Sequence, residues 1–347
     1  MRWKRRPKPA APPPQEPPGE NASLQAESSD ESSTVEQLSD TSEASDASEG
    51  RRFSHQETPS VAERSSNGEA VQGLVRKLPR PSRTRTIVVA NQKGGVGKTT
   101  TTVNLAAALA LGGCRVLIID LDPQGNASTA VSVDHSEGTP STYDVLVDGQ
   151  ALPKIVQPTP EIPGLWCAPA TIDLAGAEIE LVSLVARESK LRKALDSYRE
   201  PMDYIFIDCP PSLGLLTINA LVAAEELLIP IQCEYYALEG LGQLLRNVEL
   251  VKENLNPTLR TSSILLTMYD ARTRLAAQVV DEVRQHFPHQ VLKTTIPRSV
   301  RISEAPSYGQ TVLTYDPGSS GALSYIAAAQ ELAFQHDEKK NEIKETE

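Results

Sequence analysis

The chain has 347 residues, with 34 Lys and Arg against 45 Asp and Glu and a formal net charge of −11 at pH 7. That balance excludes a generally basic nucleic-acid binder, so any nucleic-acid contact must come from a local patch. No run of roughly 18 apolar residues occurs, which excludes a membrane-spanning helix, and the four widely spaced cysteines (Cys114, Cys167, Cys209, Cys233) form no CxxC pair. Their pattern points to a reducing cytosol, with no disulfide framework and no zinc site.

Residues 1–83 read as a disordered extension. They are rich in Pro, Ser and acidic residues, and residues 11–50 carry ten acidic and no basic side chains. Such a segment buries too little apolar surface to offset its chain entropy. The basic start (Arg2, Lys4, Arg5, Arg6, Lys8) runs into Pro-rich sequence instead of an apolar stretch, so no secretory signal is expected. Residues 84–335 have an ordinary globular composition, and 336–347 form a charged tail.

From residue 84 the pattern alternates between strand and helix, which predicts an α/β fold with a doubly wound, mostly parallel sheet. A strand is expected over Thr86–Ala90 and a helix over Thr100–Leu111, stopped by Gly112-Gly113. Arg115–Ile119 is an unbroken apolar run, as in a strand buried on both faces. Further strands are expected at Leu165–Ala170, Tyr204–Ile207, Leu227–Ile231 and Ser263–Met268. Helices are expected at Thr142–Val147, Ile172–Leu184, Glu188–Tyr198, Leu213–Ala224, Gly240–Asn254, Leu275–Phe287 and Ala322–Phe334. The stretch Thr295–Ser307 shows little periodicity and is expected to be loop.

Between the first strand and helix lies Lys93-Gly94-Gly95-Val96-Gly97-Lys98-Thr99-Thr100. Glycines at a sharp turn present bare N–H groups to an anion, Lys98 reaches the terminal phosphates, and Thr99 suits Mg²⁺; this is a nucleoside-triphosphate cradle. The usual spacing puts a glycine at 92, but Gln92 stands there and Lys93 follows it. Asp208 ends one apolar strand, from which a carboxylate reaches a bound metal directly or through water. Asp120 and Asp122 end another. A parallel sheet gathers such strand ends at one edge, where one of the pair could support the metal shell and the other orient an attacking water.

These blocks resemble the ParA/MinD group of ATPases. The loop at Lys93–Thr100 is similar to their deviant Walker A motif, Asp120-Leu121-Asp122-Pro123-Gln124-Gly125-Asn126 to the Walker A′ motif, and Asp208-Cys209-Pro210-Pro211 to Walker B. Cys233–Gly240, Thr267–Thr273 and Ile296–Ser307 resemble blocks of the chromosomal ParA (Soj) branch. The resemblance spans residues 84–335 and implies a P-loop NTPase fold. It implies that Lys93 crosses a dimer interface to the phosphates of the other subunit's ATP. It also implies that Gly94, Gly95, Val96, Gly97, Lys98, Thr99 and Thr100 hold the nucleotide, with Pro297 and Arg298 near the adenine. Asp122 would position the hydrolytic water, and Thr99, Asp120 and Asp208 would serve the Mg²⁺. Arg272 and Arg301 match positions implicated in DNA binding; such arginines neutralise phosphates without reading bases.

The activity so implied is an ATP-hydrolysing switch for chromosome or plasmid partitioning. An ATP-bound homodimer would bind double-stranded DNA non-specifically, and a ParB-like centromere-binding protein would stimulate hydrolysis. The expected location is the cytoplasm, on the nucleoid. The alternative, a MinD-like membrane-associated ATPase of division-site placement, would need a basic amphipathic C-terminal helix, and the end of this chain is acidic instead. A ligase or iron–sulfur reductase component would need substrate or cluster ligands that the sequence does not display, so Cys209 and Cys233 read as buried small residues.

Overall fold

A computed structural model describes residues 75–235 and 237–344 of the chain, all within one unit, Gln56–Glu347. Most of the extension expected to be disordered, residues 1–74, lies outside the described residues, as do 345–347 and position 236 in the Cys233–Gly240 block. Packed structure is already present before residue 84. Val75 and Leu78 are buried, and Leu78 donates its N–H to Gly112 O at 2.9 Å.

The strands are β1 Arg85–Val89, β2 Val116–Asp120, β3 Gln157–Pro158, β4 Leu165–Ala168, β5 Tyr204–Asp208, β6 Glu226–Gln232, β7 Arg260–Tyr269 and β8 Val291–Pro297. They form one sheet in the order β3-β4-β2-β5-β1-β6-β7-β8. Every pairing is parallel except that of the two-residue β3 with β4. The α-helices are α1 Lys98–Leu111, α2 Asn126–Ala130, α3 Thr142–Leu146, α4 Leu174–Glu180, α5 Lys190–Ser197, α6 Leu215–Ala223, α7 Ala237–Asn254, α8 Arg274–His286, α9 Val300–Glu304, α10 Val312–Tyr315 and α11 Ser320–Lys344.

Strand side chains alternate between two cores, as the two-residue period of a strand demands. Ile87, Val89, Val116, Ile118, Tyr204 and Phe206 point into one core with α1 and α11. Val88, Leu117, Ile119, Ile205 and Ile207 point into the other, with residues of α4, α6, α7 and α8. Because both faces are covered, the central strands read as continuous apolar runs. Helix α1 lies between the sheet and α11, so it is buried nearly all round, including Ala106, Ala107, Ala108 and Ala110. Only small side chains allow three layers to approach that closely.

Two expectations fail. The stretch Thr295–Ser307 is not loop: it holds the end of β8, all of α9 and a 3-10 turn over Ala305–Tyr308. β8 lies at the edge of the sheet and buries only Leu292 and Ile296, while α9 buries nothing, so neither leaves a periodic signal. The last helix also does not stop at Phe334 but continues to Lys344, through the residues expected to be a tail. Glu331 of this helix accepts hydrogen bonds from the backbone N–H groups of Lys293 and Thr294, which blunts the exposed edge of β8.

Candidate nucleotide site

The sheet topology builds the site. β1 is flanked by β5 and β6, and the chain crosses from one side of β1 to the other between them. At such a switch point the connections leave in opposite directions and open a crevice at the carboxyl ends of the strands. Register then sets the carboxylates: Val89 pairs with Asp208, and Asp208 with Asp120. The phosphate loop begins where β1 ends.

Gly95 and Gly97 have φ values of 73° and 86°, a left-handed conformation costly to any residue with a Cβ. Nothing lies within 4 Å of where a Cβ at Gly95 would stand; backbone geometry, not crowding, requires the glycine. Gly97 caps α1 at its N-terminus with no side-chain cap, leaving helix-end N–H groups for an anion. Val96 is buried, and its carbonyl accepts from Thr267 Oγ1 at 2.8 Å, which ties the loop to β7.

Thr99 Oγ1 donates to Asp208 Oδ2 at 2.7 Å, and Thr102 Oγ1 donates to Asp208 Oδ1 at 2.9 Å. Lys98 is buried; desolvation lowers its pKa, opposed by the charge of Asp208. Asp120 and Asp208 are both 0% exposed. Burial raises the pKa of both, and for Asp208 the neighbouring Asp120 charge adds to the rise. A nearby cation would reverse that by favouring the carboxylate form.

Asp120 is turned to the protein. Its Oδ2 accepts from Ser128 N and Ser128 Oγ at 2.9 and 2.7 Å, and its Oδ1 from Asp122 N at 3.1 Å. It therefore supports the loop and α2; no contact in the structure links it to Thr99. Asp122 Oδ1 in turn accepts from Gln124 N at 3.0 Å, a local turn that sets the direction of this carboxylate.

Lys93 has a different partner from Lys98. Lys93 Nζ is 3.1 Å from Glu234 Oε2, and both side chains are half-buried, at 39% and 45% exposure. Arg298 reaches the other oxygen of Glu234 at 3.8 Å. Pro297 pairs with Tyr269, and Arg298 N donates to Tyr269 O at 3.0 Å. The adjoining ends of β7 and β8 thus bring Arg298 close to the Asp270–Arg272 turn, and Arg301 follows on α9. The two arginines expected to contact DNA each have acidic partners. Arg272 is 86% exposed and makes a two-pronged pair with Asp270, at 2.8 and 2.7 Å. Arg301 pairs with Glu304 at 3.3 Å and Asp316 at 3.4 Å. Both carboxylate sets would have to yield to phosphate.

Sequence reasoning missed Thr102, Ser128, Asn91 and Glu234. Thr102 follows Lys98 by one helical turn, a signal that was available. Ser128 and Glu234 depend on tertiary contacts. All four cysteines are buried, and no group of three or more potential metal ligands of the His, Cys, Asp and Glu types occurs among the described residues.

The residues fit a magnesium nucleotide. Adjacent oxygen ligands of an octahedral Mg²⁺ stand about 2.9 Å apart, and the Thr99 hydroxyl and Asp208 carboxylate oxygens are 2.7 Å apart.

The chain and its fold are similar to those of known proteins. A protein-family model described as an AAA domain matches residues 84–261. The chain is 54% identical over 247 residues to the sporulation initiation inhibitor protein Soj of Bacillus subtilis (strain 168), covering 71% of this chain and 97% of that one. It is 52% identical to the chromosome partitioning protein ParA of Myxococcus xanthus (strain DK1622), over 72% of this chain and 87% of the relative. Among solved structures, cobyrinic acid a,c-diamide synthase from Mycobacterium smegmatis with bound ADP and magnesium is similar, with a TM-score of 0.63 and 38% identity over 72% of this chain and 94% of that chain.

Proposed function

The chain belongs to the ParA (Soj) family of chromosome-partitioning P-loop ATPases, and on that premise we propose that it is an ATP-driven DNA-segregation switch whose active form is a sandwich dimer. The observation that carries the dimer reading is the different burial and partners of two lysines in one loop. Lys98 is buried near Asp208, while Lys93 stays at the surface on Glu234. A surface lysine in a phosphate loop serves a phosphate that arrives from outside the subunit.

In this reading the amides of Gly94, Gly95, Val96 and Gly97 cradle the phosphates, with Thr100 on the first turn of α1. Lys98 neutralises the terminal phosphates, and Lys93 reaches those of the partner's nucleotide. Thr99 and Asp208 hold Mg²⁺, which supplies positive charge to the transferring phosphoryl group. Thr102 keeps Asp208 in place, and Asp120 keeps the Asp122 loop in place, so its contribution to the metal is indirect. Asp122 orients the attacking water. Pro297 and Arg298 border the adenine.

Arg272 and Arg301 exchange their acidic partners for DNA phosphates, giving non-specific binding that is steeply salt dependent. Two such patches on a dimer raise avidity through effective concentration. A ParB-like centromere-binding protein accelerates hydrolysis and resets the switch. The protein would act in the cytoplasm, on the nucleoid. ATPase turnover with and without DNA and the ParB partner tests this: turnover should rise most with both present, and equal turnover under every combination would overturn the reading.

A further inference from the structure

Glu234 is the counter-ion of two residues assigned to the nucleotide, yet it has no part in the scheme above. Its Oε2 holds Lys93 at 3.1 Å, and its Oε1 faces Arg298 at 3.8 Å and accepts from Gln232 Nε2. Both ends of the Lys93 pair are anchored to β6. Asn91 accepts from Lys93 N at 3.1 Å and donates to Pro230 O at 2.9 Å. Glu234 stands two residues past the end of the same strand, its N–H on Gln232 O at 2.8 Å. The lysine backbone and the carboxylate are thus set at a fixed spacing by one element.

We propose that Glu234 is a positioning residue that holds Lys93 within its own subunit until a second subunit's nucleotide takes the lysine, and so sets the ATP concentration at which two copies associate. The inference rests on the dimer reading above. One ammonium group cannot serve Glu234 and a phosphate of the other subunit at full strength. A triphosphate carries several negative charges and wins the lysine, but the pair with Glu234 must first be given up. That competition opposes association in the absence of nucleotide. A half-exposed pair of this kind shifts an equilibrium by up to about fivefold; with two pairs broken per dimer, the dimerisation constant changes by up to about 25-fold.

The test uses the full chain with Mg²⁺ and the non-hydrolysable analogue AMPPNP, with dimer mass followed by light scattering. Glu234→Gln retains an acceptor for Gln232 and removes only the charge. It should lower the AMPPNP midpoint of dimerisation about fivefold, whereas Glu234→Asp, which keeps a carboxylate, should stay near the unsubstituted protein. Zero-length carbodiimide coupling gives a second readout: an amide between Lys93 Nζ and the Glu234 carboxyl, formed with loss of water to the carbodiimide. Mass spectrometry should find that cross-linked peptide in nucleotide-free protein and find it depleted in the AMPPNP dimer. A midpoint for Glu234→Gln equal to or above that of the unsubstituted protein overturns the proposal, as does a cross-link that persists in the dimer. If the unsubstituted protein does not dimerise with AMPPNP, the functional reading fails and takes this proposal with it; dimerisation with an unshifted midpoint removes this proposal alone.

Discussion

Lys98 and Asp122 are two charged residues of one crevice whose loss should have opposite consequences. Lys98 is the buried charge next to Asp208, so Lys98→Ala should abolish ATP binding, as read by titration with a fluorescent ATP analogue. Asp122 is held by the Gln124 N–H at the crevice and is assigned to the water rather than to the nucleotide. Asp122→Ala should therefore leave binding intact and trap an ATP dimer on DNA, seen as a persistent gel shift without phosphate release. Loss of nucleotide binding in Asp122→Ala would move this residue from the water to the cradle. Gly97 shows how local sequence rules reach the site. Its φ of 86° predicts a cost of about 1–2 kcal/mol for Gly97→Ala even without nucleotide, measurable by urea unfolding of the unliganded protein.

At the scale of elements, the corner formed by the ends of β7 and β8 joins the nucleotide loop to the arginine patch. Thr267 holds Val96 O, Met268 sits at a φ of 52°, and Tyr269 accepts from Arg298 N. A residue with a side chain in that left-handed region is strained, and such strain persists only where surrounding contacts impose it. One residue past this strand end, Asp270 holds Arg272; hydrogen bonds from Arg272 keep the Asp270 carboxyl down at about 2. Arg272→Glu should lose DNA binding in a gel shift while ATP-dependent dimerisation survives. Normal DNA binding by that variant would place the patch elsewhere. Asp270→Asn should have the opposite effect, tightening DNA binding, because it removes the carboxylate that competes with phosphate for Arg272.

At the scale of the molecule, the sheet and α11 are tied together by a buried charge cluster at the start of the central strands β1 and β6. Arg85 of β1 makes a two-pronged pair with Glu226 of β6, at 2.9 and 2.8 Å, and also donates to Leu332 O of α11 at 2.8 Å. Burial alone would raise the Glu226 carboxyl, but Arg85, with help from Arg260, outweighs it and brings the group to about 2. A depressed carboxylate pKa gives stability that is present above the unfolded value, near 4.5, and is lost as pH falls towards 2. At pH 7 the linkage is worth about 3 kcal/mol. Glu226→Gln should therefore destabilise the protein by about that amount in urea unfolding at pH 7, and the gap to the unsubstituted protein should narrow at pH 3. A gap independent of pH would mean that packing, not charge, explains the loss.

The sequence by itself determined the phosphate loop, the three strand-end aspartates and the order of strands and helices around them. These features were legible because each is local. A glycine turn, a hydroxyl beside a lysine, or an apolar run closed by a carboxylate carries its chemistry within a few residues. The edge strand β8 and helix α9 were not legible, because they bury too few side chains for a period to show. Tertiary structure alone decided which carboxylate faces what. Asp120 and Asp208 look alike at their strand ends, but Asp120 turns to Ser128 and Asp208 to Thr99. Only the fold joins Lys93 to Glu234, 141 positions away in the chain, because a pairing between charges is a property of two strand ends meeting at one sheet edge, which neither residue's local sequence records.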